Sequence, residues 1–92
     1  MSAIVTVLDV PDMTAAQYDQ VTQCLNAMGQ TYPCGRLYHV VSAKQTGGCQ
    51  MVDVWESRQN FHQFAGALMP TLIKHGVNPP APQITLVHDM FQ

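Results

Sequence analysis

The sequence predicts an α+β fold with the element order β-α-β-β-α-β. Three observations predict it. Four stretches, 3–10, 37–44, 49–56 and 84–91, are rich in β-branched and apolar residues. Two segments between them repeat apolar residues at helical spacing, each behind a good helix cap. A "QTGG" turn at 45–48 joins the middle two stretches as a hairpin, with glycines where positive φ is needed.

The first strand, "AIVTVLDV" at 3–10, is apolar on both alternating sets, which predicts that both its faces are covered. "PDMT" ends it. Thr14 followed by Gln17 is a capping box, and Tyr18, Val21, Leu25 and Met28 line one face of the helix it opens. Gly29 closes that helix. "QTYPCGR" is a loop, followed by the strand "LYHVVSAK" at 37–44. After the hairpin, "CQMVDVWE" at 49–56 is the third strand, and Ser57 caps a helix from about Arg58. Phe61, Phe64, Leu68 and Leu72 form its apolar face, with Ala65 and Ile73 beside them. Pro70 removes a backbone donor and predicts a kink or a fresh short helix. Gly76 ends the helix, "VNPPAPQ" is a stiff connector, and "ITLVHDMF" at 84–91 is the fourth strand. Two βαβ-type units joined by a hairpin give a ferredoxin-like βαββαβ arrangement. The expected four-stranded antiparallel sheet has strand order 4-1-3-2, with both helices on one face.

The 92 residues predict one domain, 1–92, of modest burial. Apolar residues make up 47% and charged residues 11%, well below the ~25% charge of an average domain. With both helices on one side, the other sheet face needs a cover. A second copy of the chain, a homodimer, is the simplest one. Arg36, Lys44, Arg58 and Lys74 do not cluster and net charge is −2, which argues against nucleic acid. No apolar run reaches the ~20 residues of a membrane span, and no signal peptide is visible, so a cytoplasmic protein is expected. Cys24, Cys34 and Cys49 lack metal or redox spacing and read as free thiols. No flavin, nucleotide or metal motif appears, so no cofactor is expected.

The third strand poses the functional question. Alternation sets Met51, Asp53 and Trp55 against Val52 and Val54. The valines suit a helix-covered core, which would turn Asp53 and Trp55 to the second face. A hairpin loop of three or five residues pairs His39 with Trp55 and Val41 with Asp53, adding His39 to that face. A two- or four-residue loop would instead put the imidazole under the helices, where it needs a partner. On the last strand Val87 and Phe91 suit the core, leaving Leu86, His88 and Met90 with Asp53. An apolar hollow with a few converging polar groups describes a small-molecule site of at least ~300 Å³. His39 or His88 could act as a base, Asp53 could orient a histidine, and Trp55 could hold a ring. Thr6, Tyr38, Met51 and Leu86 are further candidates for ligand contact. His39 and His88 sit on opposite sheet edges, ~14 Å apart, too far to share a metal within one chain. The competing reading has Asp53 and His39 satisfying each other in a dimer interface, with Trp55 as packing.

The segment "VDVWES" followed by "RQNFHQFAGALMP" resembles the dimeric α/β-barrel superfamily, nearest its antibiotic biosynthesis monooxygenase-like branch. "LYHVVSA" and "VHDMF" are similar to strands of its small members. The resemblance implies a homodimer in which two sheets pack into an α/β barrel, with a ligand cleft between each sheet and its own helices or its partner. It also implies, as one possibility, cofactor-independent oxygenation of aromatic molecules. Haem-degrading members carry an asparagine on the first strand, where this chain offers Thr6 and Asp9. His62 and His75 do not match their ligand spacing, so haem is disfavoured.

Overall fold

The computed structural model describes residues 2–45 and 47–90. Its elements are β1 (Ile4–Val10), α1 (Ala15–Ala27), β2 (Arg36–Ala43), β3 (Cys49–Trp55), α2 (Arg58–Lys74) and β4 (Gln83–Leu86). The sheet runs β2-β3-β1-β4 with every pairing antiparallel, which is the expected order.

Local chemistry sets the helix ends. Thr14 Oγ1 accepts from the Gln17 amide at 3.1 Å, and Gln17 Oε1 accepts from the Thr14 amide at 2.9 Å, a complete capping box. Ser57 Oγ accepts from the Asn60 amide at 3.2 Å. Pro70 neither breaks α2 nor restarts it. The carbonyl it deprives of a donor is that of Gly66, and both residues are exposed, so water can take the missing bond. Gly35, just before β2, has φ +81°, and a Cβ there would lie 2.3 Å from the Asn60 side chain. Only glycine fits this corner without strain.

The helices cover the face that carries the odd-numbered residues of β3. Met51 and Trp55 share one core with Val21 and Leu25 of α1 and with Phe61, Phe64, Leu68 and Leu72 of α2. Trp55 is 0% exposed and packs against Phe61 and Phe64, with ring centroids 5.9 and 5.4 Å away. This reverses the expected orientation: Val52 and Val54 lie on the outer face, opposite Val7 and Val5 of β1. β1 likewise buries one face, with Ile4, Thr6, Leu8 and Val10 inward and Val5 and Val7 only partly covered. The outer face therefore presents a strip of valines, including Val40 at 57% exposure, with Tyr38 beside it.

β4 is shorter than expected. Ladder pairing ends at Leu86, extended by one bond from the Val87 amide to the Ala3 carbonyl at 3.0 Å. His88, Asp89 and Met90 are exposed beyond it, and Phe91, expected in the core, lies outside the described residues. Among the described residues no helix is long and apolar enough to cross a membrane.

All three cysteines are free. Cys49 Sγ is buried and donates to the Met13 carbonyl at 3.4 Å. Burial pushes its thiol up from the ordinary range, and the nearby Asp19 adds to the effect. With the folded value raised, its contribution to stability is whole below the ordinary thiol pKa and is lost as pH rises through the folded value. At neutral pH iodoacetamide is expected to label exposed Cys34 first and Cys49 only after denaturation. Equal labelling rates in the native protein would contradict this burial.

Candidate active site

The hairpin loop has five residues, between Ala43 and Cys49. His39 lies opposite Asp53, and Val41 opposite Met51. The expected pairing of His39 with Trp55 is thus two residues out, which leaves the imidazole on the same face as Asp53 and Trp55. Since that face lies under the helices, His39 points between the sheet and α1.

There it finds partners on both sides. Nδ1 of His39 is hydrogen-bonded to Oδ1 of Asp53, and Nε2 lies 2.9 Å from the Tyr18 hydroxyl. An ionised carboxylate can only accept, so Asp53 fixes the proton on Nδ1. Neutral His39 then accepts at Nε2 from the Tyr18 O–H. The Asp53 side chain is 10% exposed and that of His39 28%, so solvent reaches the imidazole more than the carboxylate. Carboxylate, imidazole and phenol form one chain leading outward along which a proton can pass.

This chain borders a cleft of about 180 Å³ between α1, α2 and the sheet. Val21, Leu25, Met51, Phe64 and Leu68 supply its apolar wall, and Arg36, Asn26 and Gln30 its polar end. Its volume is below the ~300 Å³ at the low end of drug-sized pockets.

No protein-family model matches the sequence, and no curated protein matches it. Solved structures do. A variant of SnoaB, a cofactor-independent oxygenase from Streptomyces nogalater, aligns with TM-score 0.70 at 11% identity, over 98% of this chain and 97% of that one. A monooxygenase of Streptomyces coelicolor, in complex with nanaomycin D, aligns with TM-score 0.68 at 16% identity, over 99% and 92%. A dimeric ferredoxin-like protein from an uncultured marine organism gives 0.65 at 13%, over 100% and 93%. The chain has the ferredoxin-like fold that these structures share. At these identities the likeness is one of fold.

Within this fold the expected site residues separate. His39, Asp53 and Met51 meet at the cleft. Trp55 does not line it: the indole is sealed in the core and its Nε1–H donates to Thr6 Oγ1 at 3.1 Å, so these two buried polar atoms satisfy each other. Tyr38 is on the outer face, Leu86 is 63% exposed at the sheet edge, and His88 is exposed past the end of β4. The second catalytic histidine expected from the sequence is therefore not at this cleft. Among the described residues no group of three or more His, Cys, Asp or Glu is placed to hold a metal.

Two cleft residues carried no functional signal in the sequence. Tyr18 read as part of an apolar helix face, although a tyrosine there needs a partner for its hydroxyl once buried. Arg36 read only as one of four basic residues that do not cluster.

Proposed function

We propose that the chain is a homodimer that binds a small planar, mostly apolar molecule carrying an ionisable hydroxyl, and that it oxygenates this molecule without a cofactor. The observation that carries the reading is the Asp53–His39–Tyr18 chain ending at an apolar cleft. The fold shared with cofactor-independent oxygenases supports it. The valine strip on the outer face gives the second copy its contact surface.

A ligand hydroxyl that is the enol form of a ring ketone with a conjugated CH₂ would displace that of Tyr18 from Nε2. His39 would take its proton, leaving an anion delocalised onto a ring carbon that keeps one C–H, while Asp53 steadies the imidazolium. The ligand anion passes one electron to O₂. Ring radical and superoxide join as a C–O–O⁻, which takes the proton back from His39. Removal of the second ring C–H proton expels the hydroperoxide's outer oxygen as water. A ring CH₂ and O₂ become C=O and H₂O, and no outside reductant is required.

Two measurements test this. Native mass spectrometry is expected to show a dimer, and a copurified mass would narrow the ligand class. Oxygen uptake with 1,8-dihydroxyanthrone should be enzyme-dependent and stop in His39→Ala. A monomer at micromolar concentration would remove the dimer, and uptake unchanged in His39→Ala would remove the base.

A non-catalytic dimeric binding module is the second reading. It is favoured by the satisfaction of both His39 ring nitrogens within the chain and by the modest cleft volume. Ligand retention with no oxygen uptake would select it.

A further inference from the structure

We propose that Arg36 recognises an acidic group on the ligand, so that the molecule taken by this cleft is an apolar hydroxy acid rather than a neutral hydroxyarene. The inference rests on the binding cleft proposed above and adds the substrate class.

The observation behind it is a break in the β2–β3 ladder. Arg36 pairs with Trp55 and Tyr38 with Val54, so Leu37 is an extra residue in β2, a β-bulge. Without it, alternation from His39 would turn Leu37 towards the helices and Arg36 outward. With it, Arg36 comes in beside the cleft, its guanidinium 5.7 Å from the centre of the Phe64 ring. A bulge next to a site commonly serves to re-aim a side chain in this way.

The guanidinium is held but not used up. Nη2 donates to the Thr31 carbonyl at 3.1 Å, and the guanidinium carbon lies over the Phe64 ring. Among the described residues no carboxylate pairs with it; the ion pairs there are His39–Asp53 and Lys44–Asp9. A guanidinium has five N–H donors in a rigid fork that suits a carboxylate. Asp53 is the other charged residue lining the cleft, and His39 already engages it. Arg36 and His39 face Trp55 and Asp53, two residues apart on β3, so their backbones lie roughly 7 Å apart along the strand. A ligand with its hydroxyl at one end and its carboxylate at the other would reach both.

Isothermal titration of the full chain with 6-hydroxy-2-naphthoate and with 2-naphthol tests this. The two probes share rings and hydroxyl and differ in the carboxylate. The wild type is expected to bind the naphthoate at least about tenfold more tightly, as a charge-assisted fork implies. Arg36→Gln should bring the ratio to about one, with circular dichroism of the variant reporting that the chain is still folded. Arg36→Lys should fall between, since it keeps the charge but loses the fork. Equal affinities in the wild type, or a preference that survives Arg36→Gln, would overturn the role of Arg36 and leave the cleft standing. Binding of neither probe would overturn both.

Discussion

Trp55→Ala is expected to destabilise the chain by about 3–5 kcal/mol, the range for removing a large buried aromatic. Three features put it there. The indole is wholly buried, it packs against Phe61 and Phe64, and its N–H is the partner of the buried Thr6 hydroxyl. Truncation empties a large volume in the core and orphans Thr6. Domains of this kind have about 5–15 kcal/mol to lose, so the variant should melt far below the parent or fail to fold at ambient temperature. Trp55→Phe loses the N–H bond and some ring volume but keeps an aromatic ring in the core, so it should cost less. Urea unfolding followed by circular dichroism would order the three proteins. A Trp55→Ala midpoint equal to that of the wild type would mean that the indole faces a ligand space instead of the core.

His39 and Asp53 should behave as one unit. In a double-mutant cycle with alanine, their coupling is expected at about 0.5–3 kcal/mol, the range for contacting, hydrogen-bonded residues. His39→Ala alone leaves a nearly buried carboxylate without its partner, whereas the double variant leaves none. The single variant should therefore be no more stable than the double one. On turnover, Asp53→Asn should lower the rate by about 10²–10⁴-fold, because the amide no longer fixes the proton on Nδ1 or steadies the charged ring. Additive stability losses would show that the two side chains act separately. An Asp53→Asn rate within a fewfold of wild type would take Asp53 out of the chemistry.

Element order, strand order and both helix starts were legible because each rests on local chemistry. Thr14 with Gln17, Ser57, and the spacing of Phe61, Phe64, Leu68 and Leu72 act within a turn or two of chain. The grouping of His39, Asp53 and Trp55 was legible for a similar reason, since alternation along a strand needs no knowledge of the rest. Which side that group faces was not legible. Val52, Val54, Val5 and Val7 are as fit for a core as Met51 and Trp55, so hydrophobicity does not rank the two faces. The remaining argument was that aspartate and histidine avoid helix-covered space unless paired. Their partners, each other and Tyr18, come from three separate elements, and no sequence spacing joins them. The bulge at Leu37 was invisible too: it lies beside a glycine corner, at Gly35, that packs against Asn60 in α2, and no sequence spacing announces either.

The alternation of β3 has a consequence for how this protein can change. Asp53 looks into the cleft, while its neighbours Val52 and Val54 look out through the opposite surface. One short peptide thus writes two messages in interleaved letters, the odd positions to the chemistry and the even ones to whatever meets the sheet from outside. A lineage could revise either text by point substitution and leave the other readable. A one-residue insertion or deletion in β3 would exchange the two and garble both, so the even positions of this strand should tolerate substitution far better than the strand tolerates any change in its length.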